Sequence, residues 1–488
     1  MRESGILMHI TSLPGPYGVG TMGTSAFEFV DFLAEAGQRC WQILPLSPTG
    51  FGDSPYQSCS TYAGNHYLID LDLLVEAGLL EQDEITGIQW CRQETKVDFG
   101  LLYKNRLAVL RKAFCRHGET EDFARFRAAN DHWLPDYAAY MALKDHFGGK
   151  PWYQWPEQIK TREQGTAFYG MNTEDIQFYC FTQYLFYKQW DDLRTYAHSK
   201  NIRIIGDVPI YVPYDSVEVW KDPKLFQMDE HLEPKVVAGC PPDGFTADGQ
   251  LWGNPIYDWD RMKQDGYRWW LDRLEAAGRL YDVVRLDHFR GLESYWAIPY
   301  GDTTARYGKW VKGPGMDFIR AVKTALPHLQ MIAEDLGYMT REVMDLRDGS
   351  GYPGMKVLQF AFDSREPSDY LPHTYTQNTV AYTGTHDNMT MGQWFDSVEP
   401  ETIRYAAEYM HLSKDEGYIR GAVRTVMASV SDLAIIPMQD VLNLGSAGRM
   451  NFPGTLSDSN WTWRVKDGII TPDVATQMRQ LTQLYGRI

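Results

Sequence analysis

Short apolar runs, rich in Val, Ile and Leu, recur along this chain, and several end in an acidic or amide side chain. The runs at 5–10, 41–44, 202–207, 281–287, 330–335, 356–360, 379–382 and 433–437 are apolar on both alternate faces. That pattern fits strands buried on both sides, as in a parallel sheet covered by helices. Between them the apolar spacing turns helical. Helices are expected at 26–36 (capped by Ser25 and stopped by Gly37), 267–277, 316–326, 341–347, within 402–430, and at 473–484.

Residues 66–200 break the alternation. Leu107, Leu110 and Phe114, then Tyr137, Tyr140 and Met141, keep helical spacing without strand alternation. They predict a mostly helical insertion between the second and third strands. Residues 208–260 are rich in Pro, Gly and aromatic side chains and read as a long loop without regular structure, a lid over a site. Eight strands separated by helices predict an α/β fold, a (β/α)8 TIM barrel spanning 1–488 with this insertion and long active-site loops. A doubly wound open sheet would give the same strand count.

Composition narrows the function. The 488 residues carry a formal net charge of −17, which argues against nucleic acid or an anionic membrane surface as partner. No apolar run approaches the roughly 20 residues needed to cross a bilayer, and the apolar stretch before His9 is too short for a signal peptide. The expected compartment is the cytoplasm. Cysteines at 40, 59, 91, 115, 180 and 240 form no CxxC pair or Cys/His cluster, so neither zinc nor a disulfide framework is expected. Gly18-Val19-Gly20-Thr21-Met22-Gly23 fits GxGxxG. Prolines separate it from the first strand, and no acid closes the second, so a dinucleotide site is not expected.

The chemistry gathers at the strand ends, where a barrel builds its site. The third strand ends at Asp207, the fourth at Asp287, the fifth at Glu334, and the seventh leads into Thr385-His386-Asp387-Asn388. Arg285 and Asp287 share one face of their strand, about 6–7 Å apart, so the guanidinium favours an ionised Asp287. A buried ion pair alone would leave the same pattern in residues 283–291. Glu334 follows Met331-Ile332-Ala333, an apolar setting that raises a carboxyl toward a general-acid role. Asp335 faces the other way. Paired carboxylates of this kind are what glycosidic bond cleavage requires, and a retaining pair stands about 5–5.5 Å apart.

These residues carry a resemblance. The chain resembles the 4-α-glucanotransferases of glycoside hydrolase family 77, relatives of the α-amylase superfamily. The likeness runs through Ser12-Leu13-Pro14, Ser54-Pro55-Tyr56-Gln57, Gly206-Asp207-Val208-Pro209-Ile210 and Pro241-Pro242-Asp243. It continues in Gly249-Gln250-Leu251-Trp252-Gly253-Asn254-Pro255, Val284-Arg285-Leu286-Asp287-His288-Phe289-Arg290-Gly291 and Ala333-Glu334-Asp335-Leu336-Gly337. Pro353-Gly354-Met355-Lys356-Val357-Leu358-Gln359-Phe360, Thr385-His386-Asp387-Asn388 and Arg449-Met450-Asn451-Phe452-Pro453-Gly454-Thr455 complete it.

The resemblance implies a retaining transferase that moves α-1,4-glucan segments from a maltooligosaccharide or starch donor to the 4-hydroxyl of glucose or a glucan acceptor, without a cofactor. It implies Asp287 as nucleophile, Glu334 as acid/base and Asp387 as a third, transition-state-stabilising carboxylate. It also implies Arg285 and His386 around the nucleophile, and Asp207, Tyr56 and Trp252 as glucan-binding positions. Asn451 and Pro453 fall in a second loop arching over the cleft near the lid. Asp207-Val208-Pro209-Ile210 differs from α-amylases proper. No Asp-x-Asp-x-Asp-Gly calcium loop occurs, and no all-β domain follows the last helix. His66 stands where relatives often have Pro. An α-glucan hydrolase of the same superfamily and a non-catalytic glucan-binding barrel are the alternatives.

Overall fold

A computed structural model describes residues 2–170, 173–242, 247–337, 339–363 and 368–488. Asp243, one of the motif residues above, lies outside the described residues. Eight parallel strands carry the fold: β1 (Glu3–Leu7), β2 (Cys40–Gln42), β3 (Arg203–Val208), β4 (Val283–Leu286), β5 (Gln330–Ala333), β6 (Gly354–Val357), β7 (Thr379–Tyr382) and β8 (Leu433–Pro437). Their order is β6-β7-β8-β1-β2-β3-β4-β5, every neighbour parallel. At the seam between β5 and β6, the Ala333 N–H donates to the Pro353 carbonyl at 3.0 Å. The sheet is thus nearly closed on itself, a (β/α)8 barrel, and the open-sheet alternative falls. Most barrel strands begin or end within a few residues of their expected bounds, since side-chain alternation is a local property.

Gly206 shows why one strand position had to lack a side chain. A Cβ there would lie 2.1 Å from the Tyr281 ring, which packs across β3 just before β4 begins. The first helix starts earlier than the sequence suggests. It spans Thr24–Glu35 with Gly23, not Ser25, at its N-cap and no side-chain cap. The reason comes from elsewhere in the chain: the Asp70 carboxylate packs against Gly23, placing negative charge at the positive helix end.

Between β2 and β3 run the helices Phe99–His117, Glu121–Ala129, Leu134–His146, Arg162–Tyr169 and Glu174–Ser199. Two buried glutamines of the last helix act as surrogate peptide groups. Gln183 accepts from Gly64 N–H at 2.7 Å and donates to its carbonyl at 3.0 Å. Gln189 does the same at Asp70, at 2.7 and 3.1 Å. The chain entering this segment is thereby tied to the helix that leaves it.

Residues 208–260 are not devoid of regular structure. They contain a helix, Val217–Lys221, and two strands, Val236–Cys240 and Gln250–Pro255. These join Ser294–Pro299 and Lys309–Lys312 in a four-stranded antiparallel sheet ordered 250–255, 236–240, 294–299, 309–312. Half of that sheet lies beyond β4 in sequence, so local cues dominated by Gly and Pro could not reveal it. Among the described residues no helix is long and apolar enough to cross a membrane.

Candidate active site

The residues singled out from the sequence meet at the C-terminal ends of the barrel strands. Asp207, next to last in β3, lies directly opposite Arg285 of β4. The two side chains are buried: Arg285 Nη1 lies 2.8 and 2.6 Å from the two oxygens of Asp207 and 2.9 Å from Oδ1 of Asp287. Tyr56, in the loop after β2, donates its hydroxyl to Asp207 Oδ2 at 2.8 Å. Asp207 is wholly covered at its side chain, whereas Asp287 keeps 29% exposed, so only the second can be reached from the cleft.

Opposing influences meet at Asp287. Burial pushes its carboxyl up, to about 8, and the charges of Asp207, Glu334 and Asp387 add to that against the pull of Arg285. Arg285 does bond Asp287, but its charge is divided with Asp207. The 29% exposure of the Asp287 side chain tempers the push from burial.

Glu334 follows β5, in step with Asp287 after β4. Leu286 pairs with Ala333, the Glu334 N–H donates to the Leu286 carbonyl at 3.1 Å, and Phe289 N–H donates to the Glu334 carbonyl at 3.0 Å. Two backbone donors fix the carboxyl: His288 N–H to Oε2 at 2.7 Å and Leu336 N–H to Oε1 at 2.9 Å. His288 takes a left-handed conformation, φ 50° and ψ 47°, rare for a residue with a side chain. Burial raises the Glu334 carboxyl above its ordinary range, opposed by Arg285 and by those two hydrogen bonds. Asp335 faces away, as its strand parity predicts. It accepts from Arg347 Nη1 at 2.7 Å and from Met355 N–H at 2.6 Å, a structural tie to β6.

The loop after β7 brings His386 and Asp387 to the same mouth. The His386 ring stacks on Tyr56 with centroids 5.1 Å apart and a 16° interplanar angle, and its Nε2 lies 3.4 Å from Asp387 Oδ1. Burial lowers the affinity of His386 for a proton; Asp387 and Asp207 oppose that and Arg285 adds to it. Asn451, on the loop after β8, donates its amide to Asp387 Oδ1 at 2.7 Å. Trp252, half-buried on the lid strand, stands edge-on to His288 at 4.8 Å and 88°.

Pro453 is the one predicted position not drawn to the carboxylates. It sits exposed on the loop after β8, whose next residue, Gly454, approaches the lid at Gln250. Three contributors have no role assigned from the sequence. His288 supplies a backbone donor, Trp461 completes an aromatic wall with Tyr56 and His386, and Arg449 reaches the Asp387 carbonyl at 3.4 Å. His288 and Arg449 lie inside recognised motifs, but their roles depend on loop conformation. Among the described residues no group of three or more His, Cys, Asp or Glu side chains could hold a metal.

The cleft thus presents three carboxyls, an arginine, a histidine and an aromatic wall, suited to binding sugar rings and transferring a glycosyl group. Comparison with known proteins agrees. The family model described as 4-alpha-glucanotransferase matches residues 8–471. The 4-alpha-glucanotransferase of Clostridium butyricum is 47% identical over 486 residues, covering 98% of this chain and 100% of the relative. That of Thermus thermophilus is 45% identical, covering 100% and 99%. An amylomaltase structure from Streptococcus agalactiae, solved in complex with acarbose, superposes with a TM-score of 0.97 at 42% identity, covering all of both chains. The chain belongs to the 4-alpha-glucanotransferase family, glycoside hydrolase family 77, enzymes that transfer α-1,4-glucan segments.

Proposed function

We propose that transfer proceeds with retention, by double displacement, with Asp287 as nucleophile, Glu334 as acid/base and Asp387 as the carboxylate that stabilises the transition state. One observation carries this reading: Asp287 and Glu334 follow adjacent parallel strands in neighbouring register. Strands lie about 4.8 Å apart, close to the roughly 5–5.5 Å that separates the carboxyls of a retaining pair.

With both carboxyls raised, the pair holds a proton near neutrality. The direct bond from Arg285 keeps the negative charge on Asp287 and leaves the proton to Glu334. Glu334 protonates the α-1,4 oxygen as an Asp287 oxygen bonds to C1. The C1–O bond breaks, and the shortened glucan departs with its new 4-hydroxyl. Glu334, now ionised, takes the proton from the 4-hydroxyl of the acceptor, whose oxygen displaces Asp287 from C1. Asp387, 45% exposed at its side chain and held by Asn451, faces positive charge developing on the ring. Arg285, Asp207, Tyr56, His386 and Trp252 form the surrounding glucan-binding surface, and Asn451 and Pro453 belong to the loop closing over it.

Donors are α-1,4-glucans, and acceptors are glucose or maltooligosaccharides. Residues 208–260 act as the lid, and the approach of the loop after β8, at Gly454, to Gln250 supports closure from both sides. Residues 66–200 form the helical subdomain. Cys40, Cys59, Cys91, Cys115 and Cys180 are free thiols, which suits a reducing, cytoplasmic setting. Incubation with maltotriose tests the reading. Glucose together with a ladder of longer maltooligosaccharides is expected, and the ladder should vanish in Asp287→Asn. A ladder of wild-type yield from that variant would remove the nucleophile assignment.

A further inference from the structure

At the end of β8 two adjacent side chains reach in different directions. Asp440, 1% exposed, accepts from the Thr383 hydroxyl at 2.5 Å and from the Met391 N–H at 2.7 Å. Those two donors are the two ends of the loop that carries His386 and Asp387. Gln439 donates to the Gly448 carbonyl at 3.1 Å, at the root of the loop that carries Arg449 and Asn451. The tips of these two loops meet where Asn451 bonds Asp387.

Beneath the first loop the packing is incomplete. A cavity of about 20 Å³ lies under it, lined by His9, Ser12, His386, Gln439 and Trp463 among others, and a second of about 10 Å³ reaches Asp440. Burial pushes the Asp440 carboxyl up to about 6, opposed by its two hydrogen bonds, so near neutral pH both oxygens serve as acceptors.

We propose that Asp440 is a positioning residue: by clipping both ends of the 383–391 loop, beside Gln439 on the 448–451 loop, it sets the height of Asp387 against the bond being broken. It touches no substrate and acts through Asp387 alone. The proposal rests on the role given above to Asp387. The physical reason is that charge stabilisation depends steeply on placement, and a displacement of about 1 Å can cost a hundredfold in rate.

Steady-state kinetics of maltotriose disproportionation test it. Asp440→Asn keeps the shape but turns one acceptor into a donor facing Thr383 or Met391 N–H. Its kcat is expected to fall about tenfold or more while KM stays within about twofold. Combined with Asn451→Ala, which loosens Asp387 from the other side, the double variant is expected to lose less than the product of the single losses. A merely structural role makes the losses multiply. An unchanged kcat, a change in KM alone, or multiplying losses overturns the proposal. Should Asp440→Asn fail to fold, Thr383→Val removes one of the two donors and decides the matter: kcat falls about threefold at unchanged KM, or the proposal is wrong. Asp387→Asn, run in parallel, separates the two layers. Full activity there overturns the role of Asp387. Lost activity there with an intact kcat in Asp440→Asn overturns only the positioning role.

Discussion

Arg285 is bound more fully to Asp207 than to Asp287: its Nη1 contacts both oxygens of Asp207, at 2.8 and 2.6 Å, and a single oxygen of Asp287, at 2.9 Å. Asp207 thereby acts as a competitor for the charge that would otherwise lower the Asp287 carboxyl. Its consequence is electrostatic and can be read in a pH profile.

The acid limb of kcat/KM should lie above the ordinary carboxylate range, since Asp287 must lose its proton to attack C1 and burial and its acidic neighbours raise its carboxyl. The alkaline limb reports the proton that Glu334 must keep, which burial also holds above the ordinary range. Asp207→Asn removes one of the charges raising Asp287 and frees Arg285 to lower it. Both effects have the same sign, so the acid limb should move about one pH unit toward acid. An unmoved limb would show that Asp207 does not share in this titration.

Asp287→Asn is expected to leave the thermal transition within a few degrees of wild type and to cut transfer by at least about 10³-fold. Circular dichroism melting and maltotriose product analysis check the two halves separately.

Asn451→Ala deletes the 2.7 Å amide bond to Asp387 Oδ1. The expected result is a fall of about tenfold in kcat, with the same ladder of products, read as glucose released from maltotriose.

Arg487, wholly buried, donates to the carbonyls of Met427, Glu3, Ser431 and Ser429 at 2.7 to 3.0 Å, joining the starts of β1 and β8 to the chain's last helix region. Arg487→Ala takes a donor from each of these buried acceptors, although the Ser429 carbonyl keeps the Arg2 guanidinium at 2.8 Å. A loss of about 3 kcal/mol is expected by urea unfolding, with kcat per folded molecule unchanged.

Much of this was legible before any coordinates. Eight apolar runs, the acids that end the third, fourth and fifth of them, and the opposite facing of Glu334 and Asp335 all follow from alternation along a single strand. Alternation is local, so it survives without knowledge of neighbours. The lid sheet was not legible, because the strands at 236–240 and 250–255 owe their regularity to partners at 294–299 and 309–312.

By itself, then, the sequence determined which acidic side chains close the strands and at which end of the barrel they stand, since strand order and parity dictate both. Tertiary structure alone decided how their charges and bonds are shared. Tyr56 reaches Asp207 across 151 positions, Asn451 reaches Asp387 across 64, and His288 reaches Glu334 across 46, through a left-handed turn. Each of these contacts depends on barrel closure and loop conformation, and a hydrogen bond a few tenths of an ångström long or short has a different worth. Such distances are set by the packing of the whole chain and leave no trace in the spacing of residues along it.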